Sequence, residues 1–158
     1  MASIDYEDVY SRFFTKVKAY DLIFDKISDG MAEEFMHAWL RSAISYPYIR
    51  RLFATIKADD DVEVIDFTMR YEVDEESDID FVEEILGYSM LYAWLEPKVN
   101  SITNISQNFA VSEQKFYSQA AHLSELRGLR DDVESKIRGL IRDRGYLYNG
   151  YLDGTVKV

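Results

Sequence analysis

The residues best suited to chemistry in this chain are its two histidines, each of which has a glutamate three positions away. Glu34 precedes His37, whereas His122 precedes Glu125. Residues three apart share one face of a helix, and helical bundles that hold two irons use Glu-x-x-His pairs in this way. Such a site needs two of these pairs and a glutamate from each of two further helices. Because the second pair runs in reverse order, the ligand set is incomplete, and a polar helix face is the ordinary interpretation.

Composition and motifs exclude most other catalytic arrangements. The chain has no cysteine, which rules out disulfides, thiolate zinc ligands and cysteine nucleophiles. It contains neither a glycine-rich phosphate loop nor a Gly-x-Ser-x-Gly elbow. Paired carboxylates are frequent among 29 acidic residues, but general-acid chemistry needs a pocket that shifts the pKa of one partner. The sequence therefore predicts no catalytic residues, no metal, no cofactor and a protein that is not an enzyme.

Charge is distributed unevenly along the 158 residues, whose formal net charge is −11. Residues 1–100 hold 22 of the 29 acids but only 10 of the 18 lysines and arginines. No basic stripe that would displace counterions from phosphate is present, so direct nucleic-acid binding is not expected. Residues 72–84 contain eight acids and no base. This stretch is predicted to face solvent or a channel through which DNA passes, with its first members being Glu72, Asp74, Glu75, Glu76 and Asp78.

The remaining composition indicates one globular domain that has more aromatic residues than its core needs. Hydrophobic residues make up 47% of the chain, which is enough for a core. No run of eighteen apolar residues is present, and the opening MASIDYEDVY is unlike a secretion signal. We therefore expect a protein that is made in cytoplasm and does not engage a membrane. Twelve tyrosines, nine phenylalanines and two tryptophans favour an interface with other chains, with an aromatic-rich core as the alternative.

Hydrophobic spacing predicts a mainly helical bundle of about four helices. The first begins after Asp5 and runs to about residue 18, and the second covers about residues 31–45. The third begins near residue 78, has an apolar face around much of its circumference, and is kinked or ended by Pro97. The fourth begins at Ser112 or Ser118, either of which can cap it. From Ser118 to Arg144 it would be about 40 Å long, which is more than a compact bundle of this size needs.

Two further segments lie outside this helical pattern. Residues 62–74 alternate between apolar and polar side chains, which predicts a small β-hairpin that must lean on a partner. Residues 146–158 are rich in tyrosine and glycine and have little of their own to pack against. The predicted organisation is therefore a helical domain over residues 1–145 followed by a C-terminal arm over residues 146–158.

Arginines at positions 127, 130, 138 and 142 lie along the last predicted helix. Two interpretations remain open: they pair with acids of the same helix, or some of them bridge to the acidic stretch of a neighbouring copy. Arg130 interrupts a seam of apolar residues spaced seven apart, so it is the one expected to face a partner.

The segment LYAWLEPKVNS, followed by a connection and KFYSQAAHLSELRGLRDDVESKIRGLIRDRGY, resembles the connector proteins of tailed-bacteriophage necks. These are also called head–tail adaptors or head-completion proteins. The resemblance covers residues 78–146 and consists of hydrophobic spacing, a Trp-Leu-x-Pro turn and a Phe-Tyr-Ser-Gln segment. It implies a structural virion protein at the portal vertex that forms a homo-oligomeric ring, commonly of twelve copies. The ring would join the portal protein to the tail or a second neck protein, and DNA would pass through without specific binding.

In that family a terminal arm often reaches into the portal or the next subunit. The expected interface residues, taken from the Phe-Tyr segment, the arginines and the arm, are Phe116, Tyr117, Arg127, Arg130, Arg138, Arg142, Tyr146, Tyr148 and Tyr151. The alternative function is a small helical regulator or chaperone that binds a partner. A helical di-metal enzyme is a third, less favoured hypothesis.

Overall fold

The computed structural model describes residues 1–19, 29–108 and 113–148, with the side chains of residues 1–18, 33–100 and 122–148. The elements run in the order β1 (Ala2–Asp5), α1 (Tyr6–Ala19), α2 (Asp29–Ser45), α3 (Pro47–Arg50), β2 (Phe53–Asp59), β3 (Val64–Met69), α4 (Glu75–Asn108) and α5 (Glu113–Gly145). The predicted fold class is confirmed: the chain is mainly helical, with a long last helix and a small β element. Among these described helices, none is long and apolar enough to cross a membrane.

Helix α4 is the centre of the fold and packs against α1, α2 and α5. Its sequence is apolar around most of the circumference, as expected of a helix that is covered on several sides. Trp94 is buried and meets the ring of Phe13 edge to face at 6.5 Å between centroids. The fully buried core residues of α4 include Val82, Ile85, Leu86, Met90, Leu91 and Leu95.

Pro97 lies inside α4, and the helix continues past it, so of the two predicted outcomes the helix does not end at Pro97. A proline in a helix interior removes one backbone hydrogen bond and costs about 3 kcal/mol. Leu95 and Val99, on either side of the proline, are buried in the core. Their packing offsets that cost, and the helix continues to Asn108.

The sheet is a three-stranded antiparallel ribbon with β3 between β1 and β2. The predicted hairpin over residues 62–74 is therefore misplaced: its strands are Phe53–Asp59 and Val64–Met69, and residues 70–74 lead into α4. The alternation of apolar and polar residues predicted β3, because every second residue of this central strand is buried. The same pattern did not predict β2, because β2 is an edge strand with several exposed side chains. It did not predict β1 either, because β1 pairs with a strand that lies far away along the chain.

Helices α1 and α4 approach each other closely at Gly87, where a Cβ atom would lie 2.8 Å from the Arg12 Cβ. The same approach brings basic side chains of α1 onto acids of α4. Arg12 pairs with Asp80 and, at 3.1 Å, with Glu83. Lys16 pairs in the same way with Glu84 at 2.9 Å. The second half of the acidic stretch is therefore neutralised within the chain, and only its first half is a candidate for a free acidic face.

Candidate functional site: an arginine-lined groove

A groove of about 700 Å³ lies where α3, the end of β3 and the last turns of α5 meet. We call it the arginine groove, because five arginines and three tyrosines line it. Its charged and aromatic lining residues are Tyr48, Arg51, Arg70, Tyr71, Arg138, Arg142, Arg144 and Tyr148. No aspartate or glutamate belongs to the part of the lining that the structure describes. A chain with a net charge of −11 thus concentrates positive charge at one place.

Three separate segments supply the arginines. Arg51 caps the short helix α3, and Arg70 follows β3 directly. The Arg70 backbone N–H donates to the Leu52 carbonyl at 2.9 Å, and its Nε donates to the Arg51 carbonyl at 3.1 Å. These two bonds fix the corner before β2 against the end of β3. Arg138 and Arg142 face this corner from α5, where four-residue spacing places them on one helix face.

The guanidinium groups differ in how far they are already neutralised. Arg138 pairs with Glu134 at 2.8 Å, and Arg142 pairs with Asp143 at 3.1 Å, both as exposed contacts within α5. Exposed pairs of this kind contribute little free energy and are easily exchanged. No carboxylate of the described residues pairs with Arg51 or Arg70. The groove therefore retains positive charge that an anionic group can neutralise.

Tyr48 adds an unused polar group to the groove. Its ring stacks on Tyr46 at 5.5 Å between centroids, and the Arg138 guanidinium lies 5.9 Å from the ring centroid. Burial raises the pKa of Tyr48 to about 12, so the phenol is neutral at physiological pH. Its hydroxyl is buried and has no hydrogen-bond partner in the described part of the protein. Because an unmade buried hydrogen bond costs free energy, the site favours a ligand that brings an oxygen acceptor.

Arg144 closes one side of the groove and is itself a structural residue. It forms a buried ion pair with Asp78 and donates a second hydrogen bond to the Tyr71 carbonyl at 3.1 Å. Asp78 also accepts the Val73 backbone N–H at 3.3 Å. The prediction that Asp78 faces solvent or a channel is therefore wrong, since it is 5% exposed. Its carboxylate is buried because a buried guanidinium pairs with it.

The other four acids predicted for this face are exposed, and they begin at the edge of the groove. Tyr71 lines the groove, and the next residue is Glu72. Asp74 is the N-cap of α4, and its carboxylate accepts a hydrogen bond from the Ser77 backbone N–H at 2.9 Å. We call residues 72–76 the acidic turn; its exposed acids are Glu72, Asp74, Glu75 and Glu76.

The structure brings three of the nine predicted interface residues together in the arginine groove: Arg138, Arg142 and Tyr148. Arg127 and Arg130 lie earlier on α5 and are not part of the groove lining. Arg130 is half-buried and pairs with its neighbour Asp131 at 3.1 Å, so an acid of its own helix satisfies it.

The remaining predicted interface residues lie near or beyond the limits of the described structure. Tyr146 is 58% exposed just past the end of α5. Phe116 and Tyr117 lie in α5, but their side chains fall outside the described residues, as does the whole of Tyr151. Near the start of the predicted arm, Tyr148 stacks on Tyr71 at 4.7 Å, so this part of the arm packs on its own subunit.

Sequence reasoning missed five of the eight charged and aromatic members of the groove. These are Tyr48, Arg51, Arg70, Tyr71 and Arg144. Each lies at the end of a helix or strand, where no periodic pattern distinguishes a polar residue that lines a site from one that faces solvent. The available signal was the position of arginines and tyrosines at element ends. Only the packing of α5 against the sheet corner shows that these ends meet.

The two histidines occupy different surroundings. His37 contacts Glu63 of the turn between β2 and β3, with 3.0 Å between Nε2 and Oε1. The glutamate of α2 that joins this cluster is Glu33, not the predicted Glu34. His122 lies 4.0 Å from Glu125 and is well exposed. Among the side chains that the structure describes, Glu33, His37 and Glu63 are the one group of three or more that could hold a metal ion.

Comparison of the chain with protein-family models, with curated proteins and with solved structures gives no significant match.

Proposed function

We propose that this chain is a structural protein of a tailed-bacteriophage neck. In this proposal, copies assemble into a ring, twelve-membered as is common in the family that the sequence resembles. The ring joins the portal protein to the tail or to a second neck protein. It also continues the DNA channel, and the protein performs no catalysis.

The observation that carries the proposal is the pairing of two complementary surfaces on one subunit. Five arginines and no described acid line the arginine groove, and two of these arginines, Arg51 and Arg70, have no carboxylate partner among the described residues. The acidic turn offers four exposed carboxylates. A ring is built from heterologous contacts, in which one face of each subunit meets a different face of the next. Opposite charges on these two patches of one subunit favour contact between the groove and the acidic turn of different copies and disfavour groove-to-groove pairing. We propose that the acidic turn of one copy enters the arginine groove of its neighbour.

Exposed apolar side chains near the groove support a protein partner over a small ligand. Tyr71, Tyr146 and Leu147 are 56%, 58% and 62% exposed. Large exposed tyrosines beside arginines are typical of the central part of protein interfaces. The contact with the portal would use the same end of α5.

The charge of the chain supports passage of DNA without binding. A net charge of −11 repels a polyanion at a distance, which lets it slide through a ring lumen. The arginine groove does not contradict this, because the acidic turn of the neighbouring copy would occupy the groove in the proposed ring.

A reciprocal charge-reversal experiment tests the proposal. One variant carries Arg51→Glu and Arg70→Glu, and the other carries Glu75→Arg and Glu76→Arg. Each alone has two like-charged faces and should fail to form rings with itself or on the portal, as measured by light scattering and particle images. Mixing the two variants restores both types of contact, so rings should reappear with alternating subunits.

Lys136→Glu is the matched control, because it reverses one exposed charge on α5 outside the groove. It should leave assembly unchanged, and circular dichroism should show native helix content in every variant. The proposal fails if the wild-type chain stays a monomer both alone and with the portal. A monomer that instead binds an acidic peptide through the groove would support the alternative of a small partner-binding regulator.

A further inference from the structure

A second candidate site lies where α2 meets the turn between β2 and β3, which is formed by residues 60–63. Glu33 and His37 are four residues apart and therefore lie on the same face of α2. Glu63 reaches them from the turn, with its Oε1 atom 3.0 Å from the His37 Nε2 atom. Each of the three residues has one donor atom within 4.8 Å of the donor atoms of the other two.

The chemistry of these donors points to a particular class of cation. An imidazole nitrogen with two carboxylates suits zinc and other late divalent transition metals, whereas magnesium and calcium prefer sites of oxygen alone. Two ligands of one tetrahedral zinc ion lie about 3.4 Å apart. The His37–Glu63 distance is close to this value, and the exposed Glu33 side chain can approach by a change of rotamer. We propose that Glu33, His37 and Glu63 bind one zinc ion, which clamps the turn onto α2.

The turn is held in place by contacts that do not use these three donor groups. The Tyr6 backbone N–H donates to the Glu63 carbonyl at 2.9 Å, and the Tyr6 hydroxyl donates to Asp60 at 2.6 Å. Arg41 of α2 forms an ion pair with the same Asp60. Glu63 also has a φ of 52°, a left-handed conformation that is uncommon outside glycine and concentrates at functional sites. The carboxylate of Glu63 is thus positioned before any ion arrives.

A buried phenol without a described hydrogen-bond partner lies near His37. The hydroxyl of Tyr10 is buried and has no hydrogen-bond partner in the described residues. Its ring centroid lies 6.5 Å from that of His37. Burial, followed by the nearby charge of Glu63, raises the pKa of Tyr10 well above its usual value. Three protein ligands leave a fourth zinc position for water, and such a water would give this hydroxyl a partner.

The two histidines of the chain provide a matched test. The full chain, freed of metal with a chelator, is titrated with zinc chloride and, separately, with magnesium chloride by calorimetry. We expect one zinc per chain and at least about tenfold weaker binding of magnesium. Glu63→Gln should weaken zinc binding at least about tenfold, and His37→Ala should abolish it. His122→Ala removes the exposed histidine beside Glu125 and should change the zinc affinity less than about twofold.

A second readout separates a specific site from general attraction of cations to an acidic chain. With cobalt in place of zinc, the ring protons of His37 should be shifted and broadened in proton NMR spectra, while those of His122 stay unchanged. Zinc at one fixed concentration should raise the Tm of the wild type and of His122→Ala more than that of Glu63→Gln. Equal zinc binding by the wild type and Glu63→Gln, equal affinity for magnesium, or no binding by the wild type would overturn the proposal. Ring assembly is not part of this test, so its outcome is independent of the proposed neck function.

Discussion

Arg144, in the last turn of α5, and Asp78, in the first turn of α4, form an ion pair that is almost completely buried. The two residues are 4% and 5% exposed. The chain connects the end of α4 to the start of α5. The ion pair joins the other two ends of these helices, the start of α4 and the end of α5, which the chain does not connect directly. The Arg144 guanidinium also lies 4.5 Å from the Phe81 ring centroid and donates to the Tyr71 carbonyl. The contacts of Arg144 also fix the side of the arginine groove that Arg144 and Tyr71 form.

Removal of one partner of this pair should be strongly destabilising. Arg144→Met leaves the Asp78 carboxylate buried without a counter-ion, which lowers the free energy of unfolding by about 3–5 kcal/mol. Arg142→Met is the control, because it removes an exposed pair on the same helix and should cost less than about 1 kcal/mol. Urea denaturation measures both values. Equal losses in the two variants would show that Asp78 is solvated in solution.

Two glycines in helices should respond in opposite directions to alanine. At Gly87 the new methyl group would lie 2.8 Å from the Arg12 Cβ, so α1 and α4 must separate, at a cost of about 1–3 kcal/mol. At Gly128 no atom of the described residues, apart from the adjacent residues and the local helix backbone, lies within 4 Å of the new methyl group. Alanine should therefore stabilise α5 by about 0.5–1 kcal/mol through helix propensity. Thermal unfolding of both variants tests this. A stabilised Gly87→Ala variant would contradict the close packing of α1 on α4.

Asp74 should make the stability of α4 depend on acid pH. The Ser77 backbone N–H donates to its carboxylate, and this hydrogen bond lowers the pKa of Asp74 below its ordinary value. A carboxylate whose pKa is lowered by folding stabilises the protein above its unfolded pKa, near 4, and loses this effect as pH falls through its folded pKa. The Tm difference between wild type and Asp74→Ala should therefore be largest at neutral pH and shrink below about pH 4.

Asp74→Asn provides the control for this pH dependence. Asparagine caps helices about as well as aspartate but does not titrate. This variant should keep most of the wild-type Tm at pH 7 and lose less of it on acidification. A Tm difference between wild type and Asp74→Ala that does not change with pH would exclude the charged cap as its cause.

Deletion of residues 146–158 should separate folding from assembly. The chain then ends at Gly145 and keeps the buried Arg144, so the helix content measured by circular dichroism should be unchanged. Loss of the Tyr148–Tyr71 stack should cost about 0.5–1.5 kcal/mol. In the proposed ring, docking onto the portal should be lost. Tyr148→Ala shows how much of either effect comes from that one stack, and global unfolding of the truncated chain would contradict the division into body and arm.

The helices were largely predictable because their signal is local. Apolar residues at three- and four-residue spacing located α1 and α2 to within a few residues. The seven-residue seam of α5 is also confirmed where side chains are described: Leu123, Leu126, Val133 and Ile137 are buried.

The exposure of the acidic stretch, residues 72–84, was predicted only in part. The sequence shows where the acids lie along the chain but not which lysines and arginines pack against them. Asp78, Asp80, Glu83 and Glu84 have partners in the chain, and the acidic turn faces solvent.

The sequence by itself determined the helical class, the burial of α4, the lack of cysteine chemistry and the overall negative charge. Each of these depends on residue type or on spacing within one turn of helix. Only the tertiary structure decided that Arg51, Arg70 and Arg138 line one groove and that Glu63 meets His37. These residues come from segments that are far apart along the chain, and their meeting depends on how the sheet corner packs against α2 and α5. Side-chain packing between distant segments leaves no periodic trace in sequence, so the sites emerge only when the fold is assembled.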